Sequence, residues 1–155
     1  MEQLTHSPFK AYDVRGQVPL QLNEQRAYDI GRAYAQVIKP QGAVAIGKDM
    51  RLSSDGLASA LIKGLNDAGV DTIDIGLCGT ELVYHAASQP EMGGGIMVTA
   101  SHNPADYNGM KMVRADAVPI SADTGLRDIE EIMVTEAWAA PPEHKGDAGQ
   151  ADYTE

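Results

Sequence analysis

The chain has 155 residues, 43% of them hydrophobic, and a formal net charge of −10 at pH 7. These values are typical of one packed globular domain, and no apolar run approaches the roughly 20 residues that a membrane-spanning helix needs. Because so acidic a surface repels nucleic-acid phosphates and anionic lipid, we expect neither a nucleic acid nor a membrane as a partner. The single cysteine, Cys78, cannot form an internal disulfide, and the N-terminus lacks a signal-peptide pattern, so a cytoplasmic location is expected.

The first half of the chain alternates between helical and strand patterns. Asn23 begins a helical pattern that runs to about Lys39, and Ala43–Gly47 follows as a short apolar strand. Ser53 is the predicted N-cap of a second helix, which Gly69 terminates. The predicted core-facing positions of the two helices are Ala27, Ile30, Tyr34, Val37, Ile38, Leu57, Leu61, Leu65 and Ala68.

The second half continues the alternation. The predicted elements are a strand at Val70–Ile75, a short helix that Thr80 caps and that runs through Ala87, strands at Ile96–Val98 and Gly109–Val113, and a last helix that starts at Ser121 or Asp123. This order predicts an α/β fold, a three-layer α/β/α domain around a mostly parallel (mixed) sheet of about four strands. We expect the domain to occupy residues 1–138, and residues 139–155, rich in turn formers, to be a linker.

A glycine-led strand ends in the most informative segment of the chain. Gly93-Gly94-Gly95 leads into Ile96–Val98, and Thr99-Ala100-Ser101-His102-Asn103-Pro104 follows. A serine at the end of a buried strand, before a turn that can expose backbone N–H groups, is well placed to hold an anion or to carry one covalently. An ordinary loop with Ser101 and His102 as surface residues fits the spacing equally well.

Several chemistries are disfavoured by the residues present. The nucleophile elbow of hydrolases needs glycines where Thr99 and Asn103 stand. Gly47-Lys48-Asp49 lacks the Gly-Lys-Ser/Thr ending of a nucleotide phosphate loop, and the triple glycine precedes its strand, unlike the dinucleotide fingerprint. The four histidines and Cys78 lack metal-ligand spacing. Phosphoryl transfer through a serine fits better, because Arg15 and Lys111 can supply positive charge to a phosphoserine.

The segment from Thr99 to Lys111 resembles the active-site loop of the α-D-phosphohexomutases. Two further segments, Phe9–Gly16 and Gly47–Ser53, agree with that family in order and spacing, and the similarity extends to about residue 138. The resemblance implies an enzyme that moves a phosphoryl group between the 1- and 6-hydroxyls of a hexose. Its substrates are hexose phosphates, with a hexose 1,6-bisphosphate as the intermediate.

The resemblance also implies roles for individual residues. Ser101 is the phosphorylated serine, which donates its phosphoryl group and is then rephosphorylated, and its phosphate is a ligand of Mg²⁺ whose other ligands lie outside this chain. Lys111 is the general acid/base, Arg15 and Tyr12 line the substrate site with Asn103, and His102 lies beside the phosphoserine. For Tyr12 and His102 a purely structural role stays open. Asp49 and Arg51 are expected as scaffolding near the site.

Two short segments resemble one branch of the family. Asp106–Gly109 and Cys78–Glu81 are similar to the phosphomannomutase/phosphoglucomutase branch. The resemblance implies mannose 6-phosphate and mannose 1-phosphate as substrates and leaves a preference for glucose open.

The match covers only the first of four family domains. The metal loop, the sugar-reading loop and the phosphate-gripping loop of the family belong to domains 2–4, which are therefore expected partners. We expect this chain alone to have little or no mutase activity. The alternative is a non-catalytic module with the same fold that binds a phosphosugar or a protein partner.

Overall fold

The computed structural model describes residues 8–10, 12–99 and 104–151. In these ranges the strands are β1 (Val14–Gln17), β2 (Ala43–Lys48), β3 (Thr72–Leu77), β4 (Met92–Val98), β5 (Tyr107–Arg114), β6 (Val118–Pro119) and β7 (Ala148–Gln150). The helices are α1 (Glu24–Ile38), α2 (Ser54–Asp67), α3 (Thr80–Ala87) and α4 (Leu126–Thr135), with short 3₁₀ turns at 115–117 and 122–124. No helix within the described ranges has the length and apolar character needed to cross a bilayer.

The strands form one mixed sheet. Its order is β1-β5-β4-β2-β3-β7, and β6 pairs with β5. β2 runs parallel to β3 and β4, and β3 runs parallel to β7, whereas β5 is antiparallel to β1, β4 and β6. The predicted α/β class is confirmed, but the described residues form seven strands rather than about four. β1, β6 and β7 were not predicted because segments of 4, 2 and 3 residues are too short to show a strand period.

The sheet is covered on both faces. Alternate residues of β2 serve two separate cores: Val44 and Ile46 pack with α1, α2 and α4, and Ala45 packs with α3. β4 divides in the same way, with Ile96 and Val98 on the first face and Met97 on the second. This alternation is the consequence of the two-residue period of a strand, and it produces the predicted three layers.

The predicted N-caps of α1 and α2 agree with the structure, whereas the last helix, α4, begins at Leu126 and not at Ser121 or Asp123 as predicted. The Asn23 side chain accepts a hydrogen bond from the Arg26 amide at 2.9 Å, which caps α1. Ser53 is the N-cap residue of α2, but its side chain makes no cap hydrogen bond. Near the last helix, Ser121 caps the 3₁₀ turn at 122–124, and α4 itself begins at Leu126.

The segment after α4 returns to the body of the domain. Arg32 stacks over the Trp138 ring with its Cζ 4.1 Å from the ring centroid. The chain then reaches the edge of the sheet, where β7 adds to β3 with Thr72 opposite Ala148. The described part of the predicted linker therefore contains a short strand, β7. All three of its residues are exposed, so it lacks the buried apolar side chains by which a strand is predicted from sequence.

Candidate active site

Two cationic side chains meet on one carboxylate beside β1 and β5. Asp13, directly before β1, is 9% exposed. Arg15 Nε lies 3.2 Å from Asp13 Oδ1, and Lys111 Nζ lies 3.2 Å from Asp13 Oδ2. The antiparallel register that places Arg15 opposite Gly109 brings these residues together. The Arg15 and Lys111 side chains remain 43% and 33% exposed, so both keep N–H donors that an anion can reach.

Asp49 connects the end of β2 to the end of β4. Its Oδ1 accepts hydrogen bonds from Ser54 Oγ at 2.5 Å and from the Arg51 amide at 3.1 Å. Its Oδ2 accepts one from Thr99 Oγ1 at 2.7 Å. Partial burial raises the pKa of Asp49, but the hydrogen bonds from Ser54, Thr99 and the Arg51 amide, together with the Arg51 charge, outweigh it and lower this pKa below its ordinary value.

Arg51 contacts the chain after residues 100–103. Its Nη1 donates to the carbonyl oxygen of Pro104 at 2.6 Å and to that of Tyr107 at 3.2 Å. Its Nε lies 3.4 Å from Asp49 Oδ2. Thr99 and Pro104 are the described residues on either side of residues 100–103, so this ion pair contacts both flanks of that segment.

A buried amide joins β5 to the start of α2. Asn108 is fully buried, and its Nδ2 donates to Ser53 Oγ at 2.8 Å and to Ser54 Oγ at 2.9 Å. Its Oδ1 accepts from the Gly109 amide at 2.8 Å. The Ser53 hydroxyl thus bonds a strand residue instead of capping its own helix.

The structure brings together some of the predicted site residues. Arg15 and Lys111 share Asp13, and Tyr12 next to them is 80% exposed. Ser101, His102 and Asn103 lie outside the described residues. Asp13 was missed as a site residue, although it lies two positions before Arg15 in a segment that resembles the family.

Two further basic residues, Lys48 and Arg114, pair with groups other than Asp13. Lys48 Nζ donates to Asp55 at 2.5 Å, and this hydrogen bond raises the pKa of Lys48. Arg114 donates to the Thr124 carbonyl at the opposite end of β5 from Gly109.

Beyond the ends of β2 and β3, an open groove of about 900 Å³ is lined by Lys48, Asp49, Arg51 and the exposed side chains of Leu52 and Leu77.

The described residues do not assemble a metal site by themselves. Within residues 8–10, 12–99 and 104–151, no three histidine, cysteine, aspartate or glutamate side chains converge closely enough to hold an ion. Asp49 and Asp13 are each occupied by hydrogen bonds or ion pairs with residues of this chain. The predicted ligand of Mg²⁺ in this chain, the phosphate on Ser101, lies outside these ranges.

Known proteins are similar to this chain in both sequence and fold. The family model described as phosphoglucomutase/phosphomannomutase, alpha/beta/alpha domain I, matches residues 6–140. A phosphomannomutase of Salmonella montevideo is 53% identical over 94% of this chain and 31% of its own length. A phosphomannomutase of Klebsiella pneumoniae is 57% identical over 85% of this chain and 82% of its own length.

A solved structure agrees with these matches. The crystal structure of a phosphoglucomutase/phosphomannomutase family protein from Burkholderia thailandensis superposes with a TM-score of 0.84 at 36% identity, covering 95% of this chain and 33% of that one. The chain spans about a third or less of the length of that protein and of the Salmonella relative. By its matched residues, its layers and its strand arrangement, the chain belongs to the phosphoglucomutase/phosphomannomutase family and corresponds to the α/β/α domain I of that family.

Proposed function

We propose that this chain is the phosphoserine-carrying domain of a phosphohexomutase that interconverts hexose 6-phosphate and hexose 1-phosphate, with mannose as the preferred sugar. The observation that carries the proposal is the pairing of Arg15 and Lys111 on Asp13, which leaves two partly exposed cations side by side. A transferring phosphoryl group needs such charge near it. The names of the similar proteins support the same reaction.

In the proposed reaction, a hydroxyl of the bound hexose phosphate attacks the phosphorus on Ser101. The bond from phosphorus to Ser101 Oγ breaks as the bond to the sugar oxygen forms, which gives a hexose 1,6-bisphosphate. Lys111 donates a proton to Ser101 Oγ as that oxygen leaves, and Lys111 Nζ takes up the proton that the attacking hydroxyl releases. The other phosphate then returns to Ser101 by the reverse sequence of events, which restores the phosphoserine.

The remaining residues have supporting roles in this proposal. Arg15 stabilises charge on the phosphoryl oxygens through N–H groups that its contact with Asp13 leaves available. Tyr12 and Asn103 contact the sugar phosphate, and His102 lies beside the phosphoserine. We retain Mg²⁺, bound through the Ser101 phosphate, as part of the proposal, but its further ligands are absent from the described residues and no step above depends on it.

We further propose that domains 2–4 supply the sugar-reading and metal-binding parts of the site. The relatives from Salmonella and Burkholderia are about three times as long as the matched region, which leaves room for such domains. With those parts missing, the substrate would not be held in register with Ser101, so the isolated chain should turn over little or no substrate.

A chimera tests the proposal directly. This chain replaces the matched segment of the Salmonella montevideo phosphomannomutase, and turnover of mannose 1-phosphate is measured with a hexose 1,6-bisphosphate as activator. We expect activity, a phosphoryl adduct on Ser101 by intact mass spectrometry, and loss of both in the Ser101→Ala chimera. A folded chimera that binds hexose phosphate without turnover or adduct would instead favour the non-catalytic module.

The fragment and the sugar preference need separate measurements. Robust turnover by the 155-residue chain alone would contradict the dependence on further domains. Because the chimera takes its other domains from the relative, sugar preference is measured on a full-length protein that carries this chain naturally, as kcat/KM for mannose 1-phosphate against glucose 1-phosphate.

A further inference from the structure

We propose that Asp49 and Arg51 form a single brace that fixes the two flanks of residues 100–103 relative to each other, and that both act as positioning residues for Ser101. The positioning role rests on the proposed function, whereas the brace itself does not. The brace is defined here as the Asp49 carboxylate and the Arg51 guanidinium.

The two halves of the brace contact the residues on opposite sides of residues 100–103. Asp49 Oδ2 accepts the Thr99 hydroxyl hydrogen bond at 2.7 Å on the side where β4 ends. Arg51 Nη1 donates to the Pro104 carbonyl at 2.6 Å on the side where the chain turns into β5. Since the two side chains also pair with each other, at 3.4 Å, a displacement of either flank must break a contact of this pair.

The brace is anchored in the body of the domain. Asp49 Oδ1 accepts a 2.5 Å hydrogen bond from Ser54 Oγ, and Ser54 is the first residue of α2 and fully buried. The Asp49 and Arg51 side chains are only 22% and 15% exposed, so water competes weakly for their hydrogen bonds. Both flanks, at Thr99 and Pro104, are thereby connected to the helix layer as well as to the sheet.

The geometry requires a guanidinium in particular. One planar group directs Nη1 at the Pro104 and Tyr107 carbonyls while its Nε faces Asp49. A lysine ammonium is a single point of charge, so it cannot span these oxygens from one position. The brace therefore predicts that Arg51→Lys fails to replace arginine even though the charge is kept.

Site-resolved amide hydrogen exchange by NMR on the 155-residue chain tests the brace. The Thr99 amide bonds the Gly109 carbonyl at 2.9 Å, and the Tyr107 amide bonds the Pro104 carbonyl at 2.9 Å. In Arg51→Lys and Asp49→Asn we expect both amides to exchange about tenfold faster or more, and by a clearly larger factor than the amides of Ile46 and Ile96 in the central strands. The matched control is Arg127→Lys, because Arg127 belongs to an exposed ion pair with Asp123.

Two exchange results would overturn the brace: unchanged rates at Thr99 and Tyr107, or an equal increase at every amide, which would indicate general destabilisation. Arg51→Ala supplies a further variant. Added guanidinium ion at low, non-denaturing concentration should restore slow exchange in Arg51→Ala and leave Arg127→Ala unaffected. Failure of this rescue in a folded Arg51→Ala chain also counts against the brace.

Kinetics of the chimera test the positioning role. Arg51→Lys should lower kcat about 10- to 100-fold, since small misplacements of reacting groups cost that much. KM should stay unchanged, because the brace is not placed in contact with substrate, and Arg127→Lys should change neither constant. Unchanged kcat in Arg51→Lys overturns the positioning role. If the unaltered chimera has no turnover, both the proposed function and the positioning role are wrong. The exchange rates of the isolated chain still test whether the brace exists.

Discussion

Asp13 and Lys111 are 98 positions apart in the sequence, yet Asp13 Oδ2 and Lys111 Nζ lie 3.2 Å from each other. The same carboxylate holds Arg15 through its second oxygen. One largely buried acid thus sets the spacing of two cations that would otherwise repel each other.

Asp13→Asn should disturb both cations at once. Asparagine keeps the shape of the side chain but removes the charge, so Arg15 and Lys111 lose their shared partner. We expect kcat of the chimera to fall about 10- to 100-fold and the isolated chain to lose about 1–3 kcal/mol of unfolding free energy. Urea unfolding and steady-state kinetics measure the two effects. Asp123→Asn, in an exposed pair, is the control, and equal effects in both variants would contradict the prediction.

The lowered pKa of Asp49 makes its contribution to stability dependent on pH. The unfolded state binds the proton more readily than the folded state, so the contribution is present above the ordinary pKa of about 4 and is lost as pH falls through the lower folded value. Arg51 is the charged group that faces this carboxylate, and Ser54 and Thr99 are its neutral donors.

Urea unfolding of wild type and Asp49→Asn from pH 7 to pH 2.5 isolates this effect. The two proteins should differ most near neutral pH and converge in the acid range. Asp55 and Asp67, whose pKa values are also lowered, are present in both proteins and cancel in the difference. A difference that stays constant with pH would show that Asp49 is not responsible.

Gly109→Ala should separate β1 from β5. A Cβ at this position would press against the Val14 carbonyl oxygen of the paired strand, which is backbone and cannot move aside easily. We expect the free energy of unfolding, measured in urea, to fall by about 2–4 kcal/mol, as for other substitutions that cause severe steric overlap. Amide exchange in β1 should also become faster. Gly149→Ala in the exposed edge strand β7 has room for a Cβ and should cost much less.

Tyr34→Phe should cost stability without changing the shape of the core. Tyr34 is fully buried, and its hydroxyl donates to the Val113 carbonyl at 2.7 Å. Removing the hydroxyl leaves that carbonyl with one partner fewer in a dry environment, which should cost about 1–3 kcal/mol. Tyr84→Phe on the partly exposed side of α3 serves as the comparison. A larger loss in Tyr84→Phe would contradict the argument.

The longer elements of the fold were predictable because each is long enough to show its hydrophobic period in the sequence. α1 was expected from Asn23 to about Lys39 and runs from Glu24 to Ile38. α3 ends at Ala87 as expected, but its N-cap is Gly79, and Thr80, the predicted cap, is its first residue. Ser53 was correctly placed as the N-cap of α2, but the partner of its hydroxyl, Asn108, depends on a contact 55 residues away. No local pattern carries that information.

The candidate site also contains residues that the sequence predicts and one that depends on strand pairing. Arg15 and Lys111 were predicted from the family resemblance, whereas the part played by Asp13 follows from the antiparallel pairing of β1 with β5. β1 has four residues and shows no strand period of its own, so neither the pairing nor the shared carboxylate could be anticipated.

The three glycines of β4 differ in what surrounds them. A Cβ on Gly93 would contact Gly42 and Pro40, one on Gly94 would meet the Tyr34 hydroxyl, and one on Gly95 would lie 2.9 Å from Val83 Cγ1. Because these three positions carry no side chain, β4 lies close to the loop before β2 at Gly93, to α1 at Gly94 and to α3 at Gly95. The position of the strand that leads to Ser101 should therefore depend on the size of Tyr34 and Val83, which pack on opposite faces of the sheet.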